Sequence, residues 1–352
     1  MRGEQESRLR SRVLLEDVAR HAGVSPQTVS RVVNGRPKVS VATRERVLAS
    51  MTQLGYRPNV AARALRAGAF HSLGIAVFNM ETLGNVRTIA GVIDEAAQRG
   101  YAIEIMQIQT IHGDSTASGV SSVLSRFGED AVDGVLIIIE SHLISDFSIR
   151  LPASVPSVIM ESGVRSDRPS VSADQEQGAE LAVRHLLGLG HPTVWHVAGP
   201  APSNSARARM ATWKRVLEQR GARIPEPLTG DWSAESGYRA GVRLARDPEV
   251  TAVFAANDQM ALGIVHALTD AGRRVPAEVS VVGFDDMIEA AHFLPPLTTV
   301  RQDFEAAGRL AVGLLVDAIE GRPVAPGPRL LDTRLIVRGS TGPYVPTNVP
   351  SR

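Results

Sequence analysis

From Ser72 onward the chain repeats one pattern: a short apolar run rich in β-branched residues, then a longer amphipathic one. "SLGIAVF", "YAIEIMQ", "VDGVLIII" and "VPSVIME" come first, with "TVWHVAG", "TAVFAA", "VSVVGF" and "RLLDTRLIV" later. Between them stand helical patterns such as "VRTIAGVIDEAAQRG", "GAELAVRHLLGLG", "ARARMATWKRVLEQRG" and "QMALGIVHALTDAG". Strands that are apolar throughout must be covered on both sides, so repeated strand–helix units predict parallel sheets with helices on both faces. The units are too many for one small sheet; two doubly wound subdomains accommodate them. In such folds ligand sites lie at the carboxyl ends of strands and in interdomain clefts.

The first 68 residues are of another kind. They carry 13 Lys and Arg against 5 Asp and Glu, whereas the remainder carries 25 against 32. A small basic head on an acidic body is the asymmetry expected when one module meets a polyanion and the other does not. The head is patterned, which argues against a merely solvated tail.

In "LLEDVARHAG", Leu14, Leu15, Val18 and Ala19 share one helical face and Gly23 provides the stop. Ser25 can cap the next helix, and Pro26 sits at the first helical position, where its missing N–H costs nothing. Val29, Val32 and Val33 form that helix's buried stripe, while Gln27, Thr28, Ser30, Arg31 and Asn34 face away from it. Asn34-Gly35 is a C-cap signal. Two short helices joined by a tight glycine turn, with polar residues near the second N-terminus, describe a helix-turn-helix. Gln suits a bidentate contact with adenine and Arg with guanine, and Ser or Thr reaches phosphates and bases. A third helix starts at the Ser40 cap, covers the other two through Val41, Val47, Leu48, Met51 and Leu54, and ends at Gly55. Lys38, Arg44 and Arg46 are available for phosphates.

The segment "LEDVARHAGVSPQTVSRVVNGRPKVSVATRERVLASMTQLGYRPNVAARALRAG" resembles the DNA-binding headpiece of the LacI/GalR family of bacterial transcription regulators. The resemblance implies a dimer that reads a pseudo-palindromic, double-stranded DNA operator through two headpieces. It also implies that "RPNVAARALR" is a hinge helix, folding when two copies meet in the DNA minor groove. Asn59, Ala62 and Leu65 would contact DNA there, Leu65 as a wedge between base pairs. For the body it implies a core of the periplasmic-binding-protein class, an α/β fold in which the chain crosses between two subdomains three times. The expected organisation is a disordered tail over 1–11, the headpiece over 12–57, the hinge helix over 58–68, the core over 69–340 and a flexible tail over 341–352. Crossings are expected near Gly190-His191, Thr299–Asp303 and Pro323–Leu330. One subdomain then takes about 72–190 and 302–325, the other about 191–299 and 328–340.

Enzymatic chemistry finds no support. Cysteine is absent, which removes disulfides, zinc fingers and thiol nucleophiles together. There is no P-loop and no G-x-G-x-x-G after the first strand; "HGDST" is not a nucleophile elbow, and the nine His are not at metal-ligand spacing. No apolar run approaches the roughly 18 residues of a membrane span, and the N-terminus lacks a secretory h-region. The expectation is a cytoplasmic protein with no membrane association, no cofactor, no metal and no catalytic residue.

Polar residues cluster instead just past the strand ends. "FAAND" supplies Asn257 and Asp258, "VVGFDD" Asp285 and Asp286, "SARARM" Arg207 and Arg209, "GDWSAESG" Trp232, and "TTVRQDF" Gln302, Asp303 and Phe304. Singly, such residues serve as helix caps, turn formers or solvated charges. Together they suit a sugar, whose hydroxyls need several donors and acceptors and whose C–H surface needs an aromatic face. These motifs resemble those of a sugar-responsive family member. The resemblance implies that Arg209, Asn257 and Asp285 hydrogen-bond a small, galactoside-like saccharide effector, that Trp232 and Phe304 pack on it, and that Gln302 belongs to the same pocket.

Three departures qualify the resemblance. Pro26 stands where that member has a base-reading tyrosine, so the operator should differ. The loop "VFNMETLGNV" does not match it closely. The tail "STGPYVPTNVPSR" has no leucine heptad, which leaves a homodimer without a tetramerising helix. Two rivals share the core: a sugar-transport receptor, disfavoured by the basic head and the lack of a signal peptide, and a sugar-modifying enzyme, for which no nucleophile, metal or phosphate loop is supplied.

Overall fold

The computed structural model describes residues 13–33, 37–56, 69–78, 80, 82–108, 123, 125–127, 132–138, 155–160 and 168–346. Asn34, Asn59, Ala62 and Leu65, the tail over 1–11 and the hinge segment 58–68 lie outside these. The chain divides into two compact units, at Phe70 and His71.

Among its described residues the first unit holds three helices, α1 (Leu15–Ala22), α2 (Pro26–Val33) and α3 (Val41–Leu54). The Leu14 backbone N–H donates to Asp17, Ser25 Oγ accepts from the Thr28 N–H at 3.2 Å, and Ser40 Oγ accepts from the Thr43 N–H. These satisfy N–H groups that a helix start leaves without an intrahelical partner. Gly23 and Gly55, both at φ 65°, end α1 and α3 in the left-handed conformation that glycine adopts without strain. Val18, Ala19, Ala22, Val29, Val32 and Val47 form the buried centre. Leu14, Val41 and Leu48, expected in that core, are exposed. Leu14 precedes the first helical turn, Val41 stands at the helix start, and Leu48 is rotated off the inward line that its neighbour Val47 occupies.

Among its described residues the second unit contains two six-stranded sheets. The first comprises β1 (Ser72–Val77), β2 (Ala102–Gln107), β3 (Gly134–Ile138), β4 (Ser157–Met160), β5 (Pro169–Ala173) and β11 (Gly327–Leu331), in the order β2-β1-β3-β4-β5-β11 and parallel throughout. The second comprises β6 (Trp195–Ala198), β7 (Leu228–Thr229), β8 (Ala252–Ala255), β9 (Ser280–Asp285), β10 (Thr298–Arg301) and β12 (Arg334–Ile336). Its order is β7-β6-β8-β9-β10-β12, and only β12 runs antiparallel. Each sheet separates two apolar clusters, as a doubly wound fold requires.

Among the described residues the α-helices delimited in this unit are α4 (Leu83–Gln98), α5 (Gln175–Gly188), α6 (Asn204–Gln219), α7 (Ala234–Ala245), α8 (Asp258–Asp270) and α9 (Phe304–Ile319). Two pairs pack closely through glycine. A Cβ on Gly263 of α8 would overlap the Ala234 carbonyl oxygen of α7, and one on Gly308 of α9 would overlap the Thr88 carbonyl oxygen of α4.

The crossovers correct the expected subdomain boundaries. The first lies at Asp174, not at Gly190-His191: Ala179, Ala182, Val183 and Leu186 of α5 pack with Val194, Trp213, Phe254 and Val300 beneath the second sheet. The second passes through Gln302 and Asp303, between β10 and α9, and α9 covers the first sheet through Ala311, Val312 and Leu315. The third lies at Asp332-Thr333, after the Pro323–Leu330 expected for it. "RLLDTRLIV" is therefore two strands, β11 beside β5 in one sheet and β12 beside β10 in the other. The first subdomain accordingly includes Gly327–Leu331, and the second begins with α5. The chain beyond Gly339 is tied down as far as Tyr344, contrary to a flexible tail from 341. Thr341 Oγ1 lies 3.0 Å from both His185 Nε2 and Thr298 Oγ1, the Gly342 carbonyl meets His191, and the Tyr344 N–H donates to Leu189 O.

Candidate functional site

In both sheets the strand order reverses beside the first strand, at β1/β3 and at β6/β8, and open α/β sheets bind ligands at the carboxyl ends of strands near such points. The carboxyl ends of the two sheets face one cavity of about 530 Å³. Arg209, Trp232, Asn257, Asp285, Gln302 and Phe304 all line it. They stand at or after the ends of five strands, β6 to β10, with Gln302 and Phe304 both following β10, so the topology brings together side chains spread over some 95 positions of sequence.

Arg209, on the second turn of α6, is 4% exposed and lies over the Phe284 ring, 3.7 Å from its centroid. Its Nε donates to Gln175 Oε1 at 2.8 Å, Nη1 donates to the Ala256 carbonyl, and Nη2 stands 3.8 Å from Asp285 Oδ1. Burial lowers its pKa to about 10, opposed by Asp285 and Asp258. Asp285, last residue of β9 at φ 113°, accepts from Gln302 Nε2 at 2.6 Å. Burial pushes its pKa up to about 6, with Arg209, Gln302 and Arg87 pulling the other way. The result is a buried donor–acceptor pair at the cavity floor, suited to adjacent hydroxyls: the guanidinium only donates and the carboxylate only accepts.

Asn257 caps α8, accepting from the Met260 N–H, and spends its amide on the Trp232 carbonyl at 3.0 Å and on Gln259. It therefore holds the Trp232 loop as well as lining the cavity. Trp232, at φ 74°, lies so close to Gly199 that a Cβ there would overlap its indole. Phe304 covers Gly84 from the other side, with Arg87 5.5 Å from its ring centroid.

Other sequence candidates have structural work. Asp258 is fully buried, accepting from Thr299 Oγ1 at 2.5 Å and from the Met287 N–H, and burial raises its pKa well above the usual carboxylate range. Asp286 pairs with Arg301 and Arg338. Asp303 caps α9, and Arg207 is exposed and bonded to Asn204. Gln175 was missed by sequence reasoning. Its strand, "PSVSA", carries two serines and lacks the apolar run that marks the others, so no strand end was placed before it. Thr82, Asn85, Thr88, Ser172 and Ser205 also line the cavity, small polar residues with no distinguishing sequence signal.

In the three-helix unit, Ser25, Pro26, Gln27 and Arg31 are exposed and Thr28 and Ser30 half-buried, on the face of α2 opposite Val29 and Val32. No group of His, Cys, Asp and Glu among the described residues is arranged to hold a metal, and no described helix is long and apolar enough to cross a membrane.

Residues 14–59 match the model of bacterial regulatory proteins of the lacI family, and residues 183–341 match a periplasmic binding protein-like domain. The lactose operon repressor of Escherichia coli K12 is 35% identical over 333 residues, 94% of this chain and 91% of that protein. The chain belongs to the lacI family. It is thereby a DNA-binding transcriptional regulator and not an enzyme. Within the family, the PurR repressor of Haemophilus influenzae strain PittEE is 32% identical over 87% of this chain and 90% of its own length. Among solved structures, the lac repressor dimer bound to operator and the anti-inducer ONPF superposes with a TM-score of 0.84 at 34% identity, covering 94% of this chain and 99% of that one. A complex of the regulator CelR with cellobiose gives 0.68 at 32% identity, covering 94% and 100%.

Proposed function

We propose that this family member is a cytoplasmic repressor that binds a pseudo-palindromic operator as a homodimer and is controlled by a small saccharide in the core cavity. The observation that carries the reading is the convergence of Arg209, Asp285 and Gln302 with the Trp232 and Phe304 rings on a single cavity. Polar groups fix hydroxyl positions, and the rings cover the C–H faces. A galactoside or a related disaccharide is the effector favoured by the similarity to the lactose operon repressor and to the regulator solved with cellobiose. A ligand moves the repressor between states only through its differential affinity for them, and a cleft between two subdomains supplies that difference when it closes.

On the DNA side, Gln27 and Arg31 read bases, Ser25, Thr28 and Ser30 support them, and Pro26 contributes apolar contact. Asn34, Asn59, Ala62 and Leu65 complete the DNA-contacting set. Two headpieces on one dimer would span the two half-sites.

The test is binding of lactose, methyl β-galactoside and cellobiose to the purified chain by calorimetry, alongside recovery of the genomic fragments it retains. Saccharide binding that vanishes in Asp285→Ala supports the reading. Binding of none of them, or unchanged binding in Asp285→Ala, refutes it.

A further inference from the structure

We propose that Gln175 is a positioning residue of this cavity, holding Arg209 and Gln302 so that both face Asp285. The hydrogen bonds form one directed chain. Arg209 Nε donates to Gln175 Oε1 at 2.8 Å, Gln175 Nε2 donates to Gln302 Oε1 at 2.7 Å, and Gln302 Nε2 donates to Asp285 Oδ1 at 2.6 Å. Arg209 Nη2, 3.8 Å from the same oxygen, brings the chain back to its start.

The direction is forced. A guanidinium has no acceptor, so the oxygen of the Gln175 amide must face Arg209 and its nitrogen must face Gln302. That in turn fixes the Gln302 amide with its nitrogen on the carboxylate. Gln175, Gln302 and Arg209 are 8%, 3% and 4% exposed, which leaves little room for solvent to replace a lost partner.

The position of Gln175 adds to its reach. It opens α5 directly after the first crossover, and Gln302 lies in the second. Two residues along, Gln177 Oε1 accepts from the backbone N–H and the Oγ1 of Thr333 in the third, at 2.6 and 2.9 Å. The first turn of α5 thus ties all three connections between the subdomains and touches the cavity through Gln175 alone among its residues.

Among the described residues, the charged and titratable groups around Asp285 are Arg209 from α6, Asp258 from α8, Arg87 from α4 and Asp286 beside it in sequence. Gln175 carries no charge, so its replacement by methionine leaves that set unaltered. Any change in Asp285 then comes from the directed chain.

The experiment has two arms on the full-length protein, and only the second rests on the saccharide reading. In the first, the side-chain carboxyl carbon of Asp285, assigned with Asp285→Asn, is titrated by NMR without ligand. Gln175→Met should raise the midpoint above that of the wild type. Combined with Gln302→Met, it should raise it by less than the sum of the two single changes, because Gln175 acts through Gln302. Gln175→Asn, uncharged and one methylene too short to bridge Arg209 and Gln302, should raise the midpoint likewise; it decides the matter if the methionine variant does not fold. In the second arm, Gln175→Met should weaken binding of lactose or cellobiose by about tenfold. An Asp285 midpoint that Gln175 variants leave in place, or strictly additive shifts, would overturn the proposal. Failure of the wild type to bind either sugar would overturn the saccharide reading and leave the first arm to decide the role of Gln175.

Discussion

In each half of the core the first strand lies between the second and the third, and a helix pair packs through glycine, α4 with α9 in one half and α7 with α8 in the other. The cavity walls nevertheless differ. The second subdomain and its crossover bring Arg209, Asn257, Asp285 and Gln302. Among the described residues the first brings Leu83, Ile138, Met160, Val171 and Ala307, with Phe304 at the head of α9 and the small polar Thr82, Asn85, Thr88 and Ser172. Equal topology therefore does not mean equal roles: one half holds the directed polar groups and the other supplies much of the apolar cover. Polar groups buried in the cleft need partners before any ligand arrives, and the second subdomain provides them from its own strand ends and crossovers.

The comparison can be broken most forcefully at the helix pairs. Gly263→Ala and Gly308→Ala each force a methyl group into a backbone oxygen, and overpacking of this kind costs about 1–3 kcal/mol or more. Denaturant unfolding should show both variants strongly destabilised, and hydrogen exchange should place the loosening in a different subdomain for each. Loosening spread evenly over the core in both would mean that the halves do not behave as separate packing units.

Asp285→Ala should then separate the two walls. A hydrogen bond to a charged group is worth about 1.5–3 kcal/mol, so saccharide affinity should fall by tenfold or more. Met160→Ala, on the apolar wall, should cost less than tenfold. Calorimetry with the same sugar decides between them, and equal losses would erase the distinction.

The pH response tests the polar wall by itself. Asp285 titrates near 6 in the folded chain, against about 3.9 for an unperturbed Asp. The folded state holds this proton more tightly, so the contribution to stability is complete below about pH 4 and declines as pH rises to 6, by about 3 kcal/mol in all. The difference in unfolding free energy between the wild type and Asp285→Asn should follow that course. Sugar affinity should move the opposite way, rising from pH 5 to 7 as the carboxylate forms. A difference that stays flat from pH 4 to 7 would contradict the assignment of the raised carboxyl to Asp285.

Thr333→Val should give the smallest effect. It removes the Oγ1 bond to Gln177 while keeping the size of the side chain, at about 0.5–1.5 kcal/mol. Sugar binding should survive with a changed operator response, measured as operator affinity with and without ligand. An unchanged response would mean that the third crossover is a passive connection.

What the sequence determined by itself was whatever depends on local pattern. The caps at Ser25 and Ser40, the left-handed stops at Gly23 and Gly55, and the alternation of apolar strands with helices are written in short stretches, because each is decided by neighbouring residues. Strand-end position marked ten candidates, and the family resemblance narrowed them to six, all of which line the cavity. The tertiary structure alone decided where the chain changes subdomain. In "RLLDTRLIV" the apolar pattern resumes on both sides of Asp332-Thr333, and only pairing with β5 or β10 shows which sheet each part joins. It alone assigned α5 to the second half, because an amphipathic stripe records that a helix is covered and not by what. It alone brought Gln175 to Gln302, 127 residues away, since nothing local in either amide specifies so distant a partner.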